Sequence, residues 1–330
     1  MISIPDTSGV PEMFAFVVAA LLGSTLPQSV PASSPPSDVT RQVPEDGPAV
    51  TIGDVEIIAR PQGAMVREFV NEVAAPNRNR GIARWEKDVC IGVANLSGPA
   101  AQYIVDRMSA VALDIGLTPG EPGCEANVIV IASDSADRVA EELVNERLNA
   151  MIIGGSGMDQ GRAALNAFVR SDRPVRWWQI SMPTDSQTGA AAVRVPGECA
   201  GPCSGAADFG PKIRLPTSTR LSSPIVDSLI RTVIIVDLEQ VRSVTVQQLA
   251  DYLAMVTLAQ IDPEADTHAF GSILNVFESP ASVDGLTPWD QTYLQGLYRA
   301  NRTRNIGSGL PELSDSIRRV QARETTADPN

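Results

Sequence analysis

Apolar residues recur along this chain in two rhythms, every second position and every third or fourth, and the switches between them mark out the elements. "VTIGDVEIIAR" (50–60) reads as a strand, and "AMVREFVNEVA" sets Met65, Phe69 and Val73 on one helical face. "WEKDVCIGVANL" then alternates Val89, Ile91 and Val93, the period of a strand. In "SGPAAQYIVDRMSAVALDIGL", Ser97 stands at an N-cap position, Ile104, Met108, Val111 and Ile115 form a stripe, and Gly116 is a stop. "ANVIVIA" is apolar without a break, as expected of a strand covered on both faces. "SADRVAEELVNERLNAM" returns to the helical period. Strands alternating with helices in this way indicate an α+β or α/β domain.

The second half is less regular. "IIGGSGMDQG" is a glycine loop, "AALNAFVRS" a short helix, and "PVRWWQISM" a strand with Trp177 and Trp178 on opposite faces. Residues 183–222 read largely as loop, and "RTVIIVDL" (231–238) as a buried strand. "SVTVQQLADYLAMVTLAQID" (243–262) is a helix with a complete start signal: Thr245 caps, Gln248 reaches back and Val244 packs on Leu249. Residues 249–259 are apolar on nearly every side, so this helix needs cover all round. The strand 232–237 and the helix beginning at "LTPWDQTYLQGLYRA" are the covers expected, the latter with Thr287 as cap and Pro288 and Asp290 in its first turn. Residues 307–330 read as a polar C-terminal tail with at most one short helix.

Charge and cysteine content narrow the setting. Lys and Arg number 26 against 39 Asp and Glu, a formal net charge of −13, and no basic run with interleaved aromatics occurs, so nucleic acid is an unsuitable partner. Four cysteines suggest disulfides Cys90–Cys124 and Cys199–Cys203, which require an oxidising compartment. "MFAFVVAALLG" has the length of a leader's apolar core, and "SVPASS" offers cleavage after Ala32. The segment before it is acidic (Asp6, Glu12) and holds no Lys or Arg, unlike an ordinary leader. The expected layout is a leader (1–32), a Pro/Ser-rich linker (33–49), one domain (50–306) and the tail, in a periplasmic or secreted protein. No other stretch reaches the roughly 18 apolar residues of a spanning helix, so no anchor is expected once the leader is removed.

The order of strands, a late buried helix and a terminal helix resembles a zincin-type metalloprotease domain, whose late helix carries H-E-x-x-H. This chain has one histidine, His268, and it lies outside that helix, so a zinc site of that design is excluded by counting. "RWEKDVCIGV", "GCEANVIVI", "PVRWW", "QLADYLAMVTLAQIDPEAD", "SILNVF" and "LTPWDQTYLQGLYRA" together resemble a family of uncharacterised exported bacterial proteins. That family is itself remotely similar to zincin-like domains of unknown function. The resemblance covers residues 50–300 and implies a zincin-like mixed sheet without a known activity; Asp262, "SILN" (272–275) and "LTPWD" (286–290) occupy its characteristic positions.

Candidate chemistry is sparse. Asp251 admits three readings: a solvated first-turn acid, a buried acid paired with an arginine or the backbone, and a functional carboxylate. Asp251, Tyr252, Asp262, Trp177 and Trp178 are the candidate binding residues. The acids Asp262, Glu264 and Asp266 lack the Gly and the final Glu of an EF-hand loop. "GGSGMDQGR" is neither a P-loop nor a complete nucleophile elbow, although Ser156, Asp237 and His268 follow α/β-hydrolase order. The reading is therefore an exported, non-catalytic domain with a binding or structural role in the cell envelope, its partner an envelope protein or small ligand, with no metal or cofactor. The alternative is a hydrolase using Ser156, Asp237 and His268, or carboxylates near Asp251.

Overall fold

The structure is a computed structural model, described here for residues 62–86, 88–152, 158–193, 222–304, 307 and 309–327. The leader, the linker, the 50–60 strand and the Cys199–Cys203 pair expected from the sequence lie outside the described residues, as does Ser156.

A four-stranded mixed sheet forms the centre, in the order β2 (Ile91–Ala94), β4 (Val128–Ser133), β6 (Ile225–Asp237), β5 (Val175–Asp185). The first three are parallel and β5 runs antiparallel along β6, with an irregularity at Ile180/Ser181. The "WEKDVCIGV" run divides at Cys90: β1 (Asp88–Val89) leaves the main sheet and pairs with β3 (Thr118–Pro119). The parallel pair β2 and β4 is linked by α2 (Gly98–Asp114), as parallel neighbours require a crossover. Ile104, Met108 and Val111 form its buried stripe, and Gly116 follows in the left-handed conformation at φ 86°.

Helices cover both faces, as an α+β chain with unbroken apolar strands requires. On one face lie α2 and α5 (Val246–Leu258), with α1 (Gln62–Val73), α6 (Pro288–Arg299) and α7 (Gly309–Ala327) beyond them; Val128, Val130, Ile234, Val236 and Trp177 point into this larger core. On the other face, α3 (Ala136–Met151) and α4 (Gly161–Arg170) cover Trp178, Ile180, Val233 and Ile235. The two tryptophans thus separate by strand alternation, as their adjacency predicts.

Residues Gln248–Leu258 are all buried, so α5 is enclosed all round. Its main helical neighbour is α2, which the sequence reading left out, rather than α6. Its start has the expected capping box, Thr245 Oγ1 accepting from Gln248 N at 3.1 Å and Gln248 Oε1 accepting from Thr245 N at 2.8 Å. The polar tail expected at 307–330 is corrected: Gly309–Ala327 is a 19-residue helix docked on α6 and α1, with Leu313, Ile317 and Val320 buried. Apolar residues four and three apart suffice to seat a helix whose other faces are polar. The Cys90–Cys124 disulfide is present, bridging the β1–β2 junction to the loop before β4. Among the described residues no helix is long and apolar enough to cross a membrane.

Candidate functional site

A groove of about 730 Å³ lies beside the outer edge of β5. Its floor follows from the pairing register. Asp237 N donates to Pro174 O at 2.9 Å, so the hydrogen-bonded pairs with β6 fall at Arg176, Trp178 and Ile180. The main-chain N–H and C=O of Trp177 and Gln179 consequently face away from β6, into the groove. Further along the strand that outer edge is occupied: Ser181 N donates to Met158 O at 2.9 Å, and Thr184 bridges to Ala191.

The small side chains Ala163, Ala164 and Ala167 of α4 form one wall, and Asn77 with Gln260, Ile261, Asp262, Pro263 and Glu264 form the other. Contacts join the walls. Gln160 Nε2 donates to Ala75 O at 2.7 Å, and Arg173 pairs with Glu264 at 3.0 Å. Glu264 is 80% exposed in this ion pair, so the second contact is weak and solvent-screened.

Around this floor, polar side chains fasten the end of α5 to the edge strand. Gln179 Nε2 donates to Val256 O at 3.0 Å and Ala259 O at 2.9 Å, taking up carbonyls that the helix terminus leaves open. Gln260 Oε1 accepts from Ala83 N at 2.8 Å, and Asn77 Nδ2 donates to Ser181 Oγ at 3.0 Å. Ala75 N donates to Gln260 O and Asp262 N to Val73 O, tying the 260–262 segment to the end of α1.

The candidate residues now separate. Trp177, Trp178 and Asp262 all line the groove. Both indoles are anchors: Trp177 Nε1 donates to Ile261 O at 3.2 Å, and Trp178 Nε1 to Met151 O at 2.7 Å. Asp262 Oδ1 accepts from Glu264 N at 2.9 Å and shapes the turn of the rim. Tyr252 lies one layer beneath, its ring 6.2 Å from that of Trp177 and 4.7 Å from that of Phe277, and burial holds its phenol above the ordinary value.

Asp251 is elsewhere. It is fully buried between α5 and α2, accepting from Arg107 Nε at 2.5 Å and Nη2 at 3.0 Å and from Leu286 N at 2.9 Å. The Arg107 guanidinium is pushed above its ordinary value by the bond to Asp251. Of the three readings of this acid, the buried pair is the one the geometry matches. Asp290 is likewise buried, accepting from Ser272 Oγ at 2.6 Å, Ile273 N at 2.8 Å and Thr287 N at 3.0 Å.

The hydrolase set does not assemble among its described members. Asp237 caps the turn after β6, accepting from Glu239 N and Gln240 N, while the His268 ring sits between Asp266 and Glu278. Of the 262/264/266 acids, Glu264 and Asp266 are engaged in separate ion pairs, and no group of three His, Cys, Asp or Glu able to hold a metal occurs among the described residues. Sequence reasoning missed Gln160, Arg173, Gln179 and Gln260. The one available signal was Gln179, a polar residue inside an otherwise apolar strand. Compared with family models, curated proteins and solved structures, the chain matches none.

Proposed function

We propose that this is an exported, non-catalytic binding domain of zincin-like layout, which takes an extended polypeptide segment, such as one from an envelope protein, along the outer edge of β5. The observation that carries the reading is the row of outward main-chain groups at Trp177 and Gln179 on the floor of the groove, beneath a wall of alanines. Such an edge offers the donors and acceptors that an added strand satisfies, while the flanking walls select alternate side chains. The zincin-like part rests on an antiparallel edge strand preceding β6, with a buried helix after β6 and a further helix beyond. Export rests on the disulfide together with the leader-like segment. The absence of catalysis rests on the single histidine and on the structural bonds of Asp251 and Asp290.

The test is binding of a displayed library of linear peptides to the full chain, followed by isothermal titration of the recovered sequences. Ala163→Trp and Ala167→Trp place indoles in the groove from exposed positions of α4, so the fold should survive. Peptides that bind the native chain and lose affinity at least tenfold on both variants support the reading. Recovery of no saturable binder, or binders indifferent to both variants, sinks it.

A further inference from the structure

A second cavity, of about 550 Å³, lies between the 80–84 segment, the start of β6, the carboxyl end of α6 and the amino end of α7. Among the described residues four arginines line it, Arg80, Arg84, Arg302 and Arg304, against one lining carboxylate, Asp227. In a chain of net charge −13 this gathers guanidinium groups around one cavity.

The bonds of the four are unequal. Arg80 is committed to Asp227, Nε at 2.7 Å and Nη2 at 2.5 Å, and Arg304 pairs with Glu312 at 3.2 Å, an acid it shares with Arg319. Arg302 bonds Glu86 through Nη1 and Asp227 O and Ser228 Oγ through Nη2, at 2.6 Å and 2.8 Å. Its Nε is buried without a hydrogen-bond partner. Arg84 is in salt-bridge contact with no carboxylate among the described residues. Its Nη1 bonds the carbonyls of Leu297 and Ala300 at the end of α6, and its guanidinium lies 5.5 Å from the centre of the Tyr298 ring. Burial and the neighbouring Arg302 charge push Arg84 down to about 10, so its cation is held where it is poorly solvated and repelled.

Arg84, bonded through Nη1 alone, and the neighbouring Arg302 bring two guanidinium charges to one cavity, which suits a planar or tetrahedral oxyanion. Gly307 and Gly309, at the amino end of the long helix α7, line the same cavity, and that end favours negative charge. Apolar side chains, Ile82, Ile225, Val226, Leu297 and Leu313, line it too, together with the polar Ser223 and Asn301. We propose that this cavity is a binding site for a small organic anion, its carboxylate or phosphate head held by Arg84 and Arg302 and its apolar body against Leu297, Leu313 and Val226. The site is separate from the β5 groove and does not depend on the peptide reading.

The test is isothermal titration of the full chain with octyl phosphate, octanoate and inorganic phosphate, repeated on Arg84→Met and Ala300→Glu. Arg84→Met removes the charge but also a cap of α6; Ala300→Glu keeps that arginine and places an internal carboxylate at the half-buried rim, so it decides the matter if the first variant does not fold. One saturable site for an octyl compound, weakened at least tenfold by each folded variant, is the expected result. The tighter of the two octyl compounds identifies the head. No saturation by either at concentrations on the order of 1 mM, or affinities that Ala300→Glu leaves unchanged, overturns the proposal. Inorganic phosphate binding as tightly as octyl phosphate overturns the assignment of an apolar body.

Discussion

Replacing either member of the Asp251–Arg107 pair tests whether the acid in the most apolar helix is structural. Asp251 has no exposed surface, whereas the Arg107 side chain is 37% exposed. The two substitutions should therefore differ in cost. Arg107→Met leaves a buried carboxylate with Leu286 N as its remaining donor, which should cost about 3–4 kcal/mol, near the usual penalty for breaking a buried pair. Asp251→Asn turns an amide donor toward the guanidinium, but water can still reach the arginine, so about 2–3 kcal/mol is expected. The double variant should cost no more than the worse single one, because the second change removes a charge the first has already stranded. That gives a coupling of at least about 2 kcal/mol. Equilibrium urea unfolding of the oxidised full chain measures all four states, provided the slopes agree. Single costs both below about 0.5 kcal/mol, adding without coupling, would show a surface-type ion pair and refute the reasoning.

Other expectations follow from the same packing. Leu253, fully buried in α5, should lose about 2–5 kcal/mol on Leu253→Ala, and a melting curve unchanged by that substitution would contradict the enclosed placement of α5. Replacing Cys90 and Cys124 by alanine opens a loop of 34 residues, for which chain entropy suggests about 4 kcal/mol, read as a lower urea midpoint. Mass spectrometry without reductant should find those two residues joined. As the one histidine of the chain, His268 gives an unambiguous proton NMR titration. Its midpoint should lie above the ordinary value because Asp266 and Glu278 hold the cation, and it should fall on Asp266→Asn. For such a raised group, the stabilisation is present below the unfolded pKa and lost as pH rises through the folded one; Asp266, which is lowered, loses its share as pH falls through its own folded value.

Periodicity carried most of the fold. The stripes of α1 and α2, the capping box of α5, the Thr287 cap of α6, and the unbroken β4 run were legible because each rests on local spacing. The α7 helix was not, since Leu313, Ile317 and Val320 stand among mostly polar neighbours, and only docking on α6 and α1 shows their purpose. The site was legible in part. Trp177, Trp178 and Asp262 were singled out from residue type, and all three line the groove, yet as anchors and a turn former rather than free ligand contacts. The groove's distinguishing property is a stretch of strand edge, at Trp177 and Gln179, with which no described strand pairs. That depends on strand order, which no residue type announces.

The two buried acids make better sense as parts of one device than singly. Between α5 and α6 the chain runs from Ala259 to Thr287 with only two short 3₁₀ turns, at Ile273–Asn275 and Pro280–Ser282. A connection of that length without regular structure needs internal fastening if it is to hold a shape. Asp251 fastens Leu286, Gln248 Nε2 fastens the carbonyls of Pro280 and Val283, and Asp290 fastens Ser272 and Ile273. Asn275 does the same for the carbonyls of Thr267 and Phe270. The buried polar residues at the starts of the two helices thus hold the far part of the connection. Its near part is held by Gln179 at the end of α5 and by the pairing of residues 260–262 with the end of α1. The outcome is that Ile261–Glu264 stand fixed as one wall of the groove, opposite the alanines of α4. Asp251 and Asp290, which would be candidates for catalysis in an open cleft, instead hold residues 272–286 of this connection in place.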